Sequence, residues 1–464
     1  MINRLFKNTV FSTVYTVVLF LGACAVILCE WEINGAILFA YIAAAALILS
    51  SRLTDAMLPA MLLSVFVTKC YDSADTFLGK LPWMLPVVLA IVLHFVIYRK
   101  QYCQRACLGA SFPALCAVTV AVTVGGLGTI SPSDYFSGGS LFYMFGLGIG
   151  MILFYLIIRA NLTEEDIQEV IRILYVTGLL ACFCVLHFYY QNWDEFMETK
   201  AFILFQSKNN LATFLMLAMP FPLFYASRRY VDLLSVLLMY ACIILAGSRG
   251  GLLMGTVEFL LLLLIFMLRR HSPVTFRILC GGTIVISIGL LVGFLPQLMA
   301  FMQVPFDAVN ATPQTYLLAL KNFFVNADEA RVRLVSRMTE DFRRNPLFGT
   351  GIGYTGNSDL YSPVKGAMNW YHMWFAQVIG GLGLVGILAY GYQLCVRAIL
   401  FFKNQNLKTL TLFLSYLGLF LMSQVNPGEF CPMPYAALAV TYFALMEIPS
   451  KAETTSIWKR LLYP

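Results

Sequence analysis

Charge is what this 464-residue chain has least of. Only 12% of its residues are Asp, Glu, Lys or Arg, while 60% are hydrophobic. A typical soluble domain is about one quarter charged. Too few polar residues remain to cover a water-facing surface of this size, so the bilayer must solvate much of the chain. No polar stretch reaches the ~100 residues of an ordinary domain. That excludes a separate soluble domain, and residues 1–464 read as one membrane domain. There is also no CxxC pair among the 12 cysteines. Neither a zinc site nor a thiol redox motif is therefore supported. Cys24, Cys116, Cys182, Cys184 and Cys242 sit inside apolar runs and act as small hydrophobes. Fixed-period repeats, low-complexity tracts and the paired inverted halves of many transporters are absent as well. The net charge of +7 raises nucleic acid as a partner. The basic residues instead cluster at the ends of apolar runs, the positive-inside pattern of membrane proteins, so no nucleic acid is expected.

What the chain has in abundance is apolar runs. A spanning helix needs about 20 mainly apolar residues. About fourteen candidates occur, near 11–29, 33–50, 55–69, 82–98, 111–129, 140–158, 168–189, 210–226, 231–247, 250–268, 277–297, 372–400, 408–424 and 432–447. The expected fold is an all-α polytopic transmembrane helix bundle of about 12–14 spans. The first run follows Arg4 and Lys7, but Glu30, Glu32 and a second run come at once, so it is a first span rather than a cleaved signal. The connections alternate in charge. One set holds Arg52, Arg99/Lys100, Arg159, Arg228/Arg229, Arg269/Arg270, Lys403/Lys408 and Lys451/Lys459. The other holds Glu30/Glu32, Asp72/Asp75, Asp134, Asp194/Glu195 and Glu429. The basic set is cytoplasmic by the positive-inside rule, which puts both termini inside. Glu164 and Glu165 break the pattern, and Thr163 with Asp166 resembles a helix N-cap that explains them.

The exception to this run of helices is a long outer loop, 298–371. Its phenylalanines (Phe301, Phe306, Phe323, Phe324, Phe342, Phe348) give it material to pack, and long loops of this kind are often functional. Residues 328–344 have the spacing of an amphipathic helix, with Leu334, Val335, Met338 and Phe342 on one face. Arg331 shares that face, while Arg333, Arg337, Glu340 and Arg344 lie opposite. An arginine turned toward a membrane surface needs an anionic partner; snorkelling, or a salt bridge to Asp328 or Glu329, is the alternative. Asn345-Pro346 ends the helix. Gly349, Gly351 and Gly353 follow, before Tyr354. They form either a turn or a nest of amide groups for an anion.

Three further anchors lie on the outer side. Arg249, in Gly247-Ser248-Arg249-Gly250-Gly251, sits in a turn between two apolar runs, where a topology signal alone would not put a cation. His372 opens the run after the loop; it is either an interfacial side chain or a general base, with His187 as its one rival. Lys208-Asn209-Asn210 heads another helix, where Asn209 or Asn210 serves as an N-cap and Lys208 adds a further cation. Several cations at one surface suit an anionic substrate such as a pyrophosphate.

In order, Lys208-Asn209-Asn210-Leu211-Ala212, Ser248-Arg249-Gly250, Arg331 through Asn345-Pro346-Leu347-Phe348-Gly349-Thr350-Gly351, and His372 heading a helix resemble the O-antigen ligase/polymerase family. Gly380-Gly381-Leu382-Gly383-Leu384-Val385-Gly386 is similar to that family too. The resemblance covers roughly 205–390. It implies a metal-independent, inverting GT-C-type membrane glycosyltransferase with no cofactor. Its partners would be a lipid-linked glycan donor (undecaprenyl pyrophosphate), a glycan or glycolipid acceptor and membrane lipids. By position, Arg249 and Arg331 would hold the pyrophosphate and His372 would deprotonate the acceptor hydroxyl. Lys208, Asn209, Arg333 and Tyr354 complete the candidate substrate contacts. The family commonly has Asn directly after this histidine; here Met373 follows, leaving Tyr371, Asn369 or Gln377 to orient the ring. Two other classes compete. A transporter or flippase of lipid-linked sugars would carry charges buried mid-helix, of which Glu258 is the clearest. A peptidoglycan-polymerase-like enzyme would rest on an outer-loop acid such as Asp307, Asp328 or Asp359.

Overall fold

The computed structural model describes residues 6, 8–29, 31–50, 53–66, 81–100, 108–129, 132–136, 138–199, 208–268, 273–293, 314, 329–352, 371, 373–404, 406–426 and 428–448. Among them every regular element is helical and no strand occurs. The principal helices are α1 (Thr9–Leu28), α2 (Glu32–Leu49), α3 (Leu58–Phe66), α4 (Leu85–Ile97), α5 (Ser111–Val124), α6 (Gly150–Asn161), α7 (Asp166–Gln191) and α8 (Lys208–Ala218). They continue with α9 (Arg229–Leu245), α10 (Arg249–Leu268), α11 (Val274–Gly293), α12 (Glu329–Arg344), α13 (Trp374–Lys403), α14 (Leu407–Ser423) and α15 (Ala437–Met446). Among the described residues, α1, Met144–Asn161, α7, α10 and α13 are long and apolar enough to cross a membrane. Eight shorter apolar helices accompany them. Large apolar side chains point outward along these helices, among them Val18, Leu21, Val88, Val285 and Leu388. Helices apolar on every side belong in lipid, and this is a helical membrane bundle.

The apolar runs become helices with breaks where the backbone requires them. Run 55–69 splits into Leu53–Ala56 and α3, with Pro59, which lacks an N–H, in α3's first turn. Run 210–226 stops at Ala218 before Pro220 and Pro222, and a 3-10 stretch, Phe221–Arg228, continues it. α6 is entered through a wide turn, Met144–Ile149, with Gly148 off helical geometry. α1 and α14 start on asparagine caps: Asn8 accepts from the Val10 N–H at 2.9 Å, and Asn406 forms a capping box with Thr409.

Polar side chains inside the bundle are gathered into networks. At one end, Arg172 donates to Ser12 (2.7 Å), Asp55 (3.1 Å) and Glu169, and Thr54 donates to Asp166. Asp166 also accepts the Thr163 N–H at 2.6 Å, so its carboxylate reaches back over the helix start. At the end of α15, Glu447 accepts from Tyr155 at 2.6 Å and the Ser111 N–H at 2.6 Å, and pairs with Arg159 at 3.4 Å. A buried carboxylate needs such partners.

α13 is two helices end to end. At Gly383 the backbone turns to φ 61°, ψ −151°, a conformation open essentially to glycine alone. The break frees backbone groups that hydrocarbon cannot solvate. The stretch after α12 supplies their partners. Leu384 N–H donates to Pro346 O at 2.8 Å and Val385 N–H to Leu347 O at 3.2 Å. In return, Thr350 N–H donates to Gly380 O at 3.0 Å and Gly351 N–H to Gly381 O at 2.7 Å. The same stretch is tied to the end of α5. Gly126 N–H donates to Phe348 O at 2.7 Å, and Asn345 Nδ2 to Leu127 O at 2.8 Å. The approach is close enough to require glycine on both sides. A Cβ on Gly349, itself at φ 63°, would lie 2.5 Å from the Gly381 carbonyl carbon; one on Gly383 would lie 2.7 Å from Gly349 N and Pro346 O.

α12 forms where its amphipathic spacing placed it and packs along the first half of α13. Leu334 is buried with Tyr371, Met373 and Ala376. Val335 is exposed rather than inward, because the buried stripe is narrower than the apolar one. Arg337 is half-buried and pairs with the buried Asp341 at 3.1 Å, so it does not simply face water.

Replacing Gly383 with Ala should cost at least ~2 kcal/mol, since strain and backbone contact add. Gly391→Ala, in the same helix with nothing within 4 Å of the new Cβ, should be neutral or stabilising. Thermal unfolding in detergent checks this: a large fall for Gly383→Ala beside an unchanged midpoint for Gly391→Ala is expected.

Candidate active site

The starts of α8 and α10 meet side by side. Gly247, at φ 67°, turns the chain out of α9. Ser248, fully buried, then caps α10 by accepting the Gly251 N–H at 3.0 Å. Its hydroxyl donates to Asn209 Oδ1 at 2.7 Å. Asn209 lies in the first turn of α8 and binds the cap of the neighbouring helix; it is not itself the cap expected for α8. Glycines permit the approach: a Cβ on Gly251 would lie 2.5 Å from Ala212 Cβ, and one on Gly250 would lie 2.6 Å from Val425.

Each helix begins with a cation, Lys208 exposed and Arg249 half-buried. A helix start carries the positive end of the peptide dipole, so a cation there is disfavoured. Two such helices side by side hold two cations against two positive dipole ends. The dipoles work against the two cations, and an anion between the helix starts would offset that cost.

α13 starts at the same end. Trp374 packs edge-on against Phe420 at 5.4 Å and lies 6.5 Å from Phe430. The turn that carries Phe430 also carries Val425, which touches Gly250 beside Arg249. Tyr435 donates to Asn210 O at 3.2 Å, tying the α8 start to the same group. The heads of α8, α10 and α13 therefore converge on one end of the bundle.

His372 lies outside the described residues, as does Tyr354, and the side chains of Arg331 and Arg333 are likewise outside them. Their backbone setting is partly defined. Arg331 is in the first turn of α12, one turn before Leu334, which packs on Tyr371 and Met373. The two residues flanking position 372 are both buried. Tyr371 N–H donates to Gln377 Oε1 at 3.2 Å, and the Tyr371 hydroxyl donates to Asp341. Of the three helpers considered for His372, Gln377 and Tyr371 thus fasten the backbone beside it, and Asn369 lies outside the described residues. Met373, in the place of the common asparagine, instead packs against α12. Burial and the adjacent Asp341 carboxylate push the Tyr371 phenol well above its ordinary value. The phenol therefore keeps its proton through the neutral range. The contribution of its bond is present below about pH 10 and is lost only as pH rises beyond that.

Sequence reasoning missed Asp341 and the Arg397–Glu429 pair. Arg397 Nη1 pairs with Glu429, and both side chains are almost fully buried. Glu429 looked like a loop acid because only its neighbours in sequence were visible.

The fold and this end of it define a multi-helix membrane protein in which two helix starts, each headed by a cation, meet. Residues 234–391 match the model of the O-antigen ligase family. The match spans Arg249, Arg331, Arg333, Tyr354 and His372. Lys208 and Asn209 precede it and join the site through the Asn209–Ser248 hydrogen bond. No curated protein matches the chain.

Tyr371→Phe leaves the buried Asp341 short of a donor. A loss of about 1–3 kcal/mol is expected, read as a lower unfolding midpoint at pH 7. The difference from the parent should shrink above about pH 10.

Proposed function

We propose that this protein transfers or polymerises a glycan from an undecaprenyl-pyrophosphate donor to a hydroxyl acceptor. The reaction occurs at the outer face of the cytoplasmic membrane, with both termini of the chain inside. The carrying observation is the meeting of the α8 and α10 starts with Lys208 and Arg249 at their heads, within reach of the Trp374 start of α13. The O-antigen ligase match supports the reaction class. One membrane domain with an outer loop at 298–371 frames the site.

Arg249 and Arg331 hold the pyrophosphate and stabilise the charge that grows as it leaves. The sugar–oxygen bond breaks, and its electron pair departs with the pyrophosphate. The acceptor oxygen attacks the opposite face of the sugar carbon, which inverts, and His372 takes the hydroxyl proton. Lys208, Asn209, Arg333 and Tyr354 contact the donor. Pyrophosphate is a good leaving group and the cations replace a metal, so the reaction runs without divalent ions.

One observation favours a second reading, transport of lipid-linked sugars. Glu258 is fully buried mid-helix, and neither of its oxygens is hydrogen-bonded. Buried intramembrane acids often mark pathways. Transport makes no new bond, and that separates the two.

Cells lacking the protein should accumulate a lipid-linked glycan that the parent gene clears. His372→Ala should lower clearance ~10²–10⁴-fold and Arg249→Ala ~10²–10³-fold. Purified protein should form the product in the presence of a chelator. Parental turnover by His372→Ala, or a strict need for magnesium, contradicts the proposal.

A further inference from the structure

The turn after α14 holds the site together, and it has little regular structure of its own. Gln424 and Val425 close on the end of α14 through N–H bonds to Leu421 O (3.1 Å) and Met422 O (3.0 Å). Residues 428–430 form a single 3-10 turn. Gly428 is at φ 48°, and a Cβ there would lie 2.1 Å from Ser423 Oγ. Glu429 N–H donates to that Oγ at 2.9 Å. This short stretch touches the heads of α10, through Val425 on Gly250, and of α13, through Phe430 on Trp374.

Into it the bundle sends one charged contact. Arg397, on the second half of α13, pairs with Glu429 and donates to Tyr416 OH at 2.6 Å. Its guanidinium lies over the Tyr416 ring at 4.8 Å and the Phe443 ring at 5.1 Å. Tyr416 OH in turn donates to Glu429 Oε2 at 3.4 Å. The guanidinium thus meets its counter-ion, the Tyr416 hydroxyl and two aromatic faces. A buried ion pair of this kind seldom adds stability over apolar packing, and its best-attested use is to fix one arrangement among several.

We propose that Arg397 and Glu429 are positioning residues for the transferase site. Their ion pair pins the turn that sets the heads of α10 and α13, marked by Arg249 and Trp374, at their working separation. The inference rests on the transferase reading for its functional half and on contacts alone for its structural half.

The test uses the full chain in nanodiscs. Glu429→Gln alone strands a buried cation and risks unfolding, so the deciding variant is the double Arg397→Gln/Glu429→Gln, which strands no charge. Hydrogen–deuterium exchange is followed in peptides covering 424–431 and 371–377, with 111–124 as reference. The double variant should keep the parental unfolding midpoint. It should exchange at least tenfold faster in the two site peptides but not in the reference, and clear lipid-linked glycan at least tenfold more slowly in cells. Glu429→Asp, which keeps the charge, should recover most of the protection. Parental exchange at both site peptides in the double variant overturns the positioning role. So does faster exchange with undiminished clearance. If the parent itself clears no glycan, the transferase reading fails, and the exchange result still decides whether the pair pins the turn.

Discussion

A helix that breaks inside a bundle of apolar helices must find partners for the backbone groups it frees. Here the break at Gly383 is met by the turn of residues 346–351, and four backbone hydrogen bonds cross the seam. Lipid offers no substitute for them. Because the seam is built on glycines that approach to contact, it has little room to slide. It fixes where α12 ends, and it pins residues 345–351 to α13 and to the end of α5. The first half of α13, with Trp374 and the buried Tyr371 and Met373, takes its place from that seam.

Onto this rigid piece the bundle brings two more helix starts. Lys208 and Arg249 stand where the dipoles of α8 and α10 oppose them. The dipoles alone disfavour these cations, and an anion near the two starts would offset that cost. The Asn209–Ser248 bond and the small residues at the contact hold the two starts at a fixed spacing. The opposite logic governs the interior, where charges are neutralised within the protein. Arg172 meets Asp55 and Glu169, Arg159 meets Glu447, and Arg397 meets Glu429. Glu258 stands apart from that pattern.

Much of this was legible in the order of residues. Within the described residues the apolar runs became helices, several of them broken at a proline or glycine, and the 328–344 pattern became α12. The Gly-Ser-Arg-Gly-Gly turn between α9 and α10 was visible because a cation there had no topological reason. Other features depend on contacts that no local pattern encodes. Gly349 and Gly383 each look like an ordinary turn or helix glycine until they are set against each other. Glu429 passed for a loop acid, and Arg397 was hidden inside an apolar run. Asp341 was assigned to neither face of the helix, yet it is buried against Tyr371. His372, Tyr354 and the side chains of Arg331 and Arg333 remain expectations carried by position in the sequence.

The central claim is that the anchors at 249, 331 and 372, far apart in the chain, share one end of the bundle. Pulsed electron resonance between nitroxide labels tests it, with pairs at 249 and 331 and at 249 and 372 in the full chain. The account predicts both separations well inside the ~30 Å thickness of the hydrocarbon layer. A distance distribution centred at or beyond that thickness for either pair would contradict it.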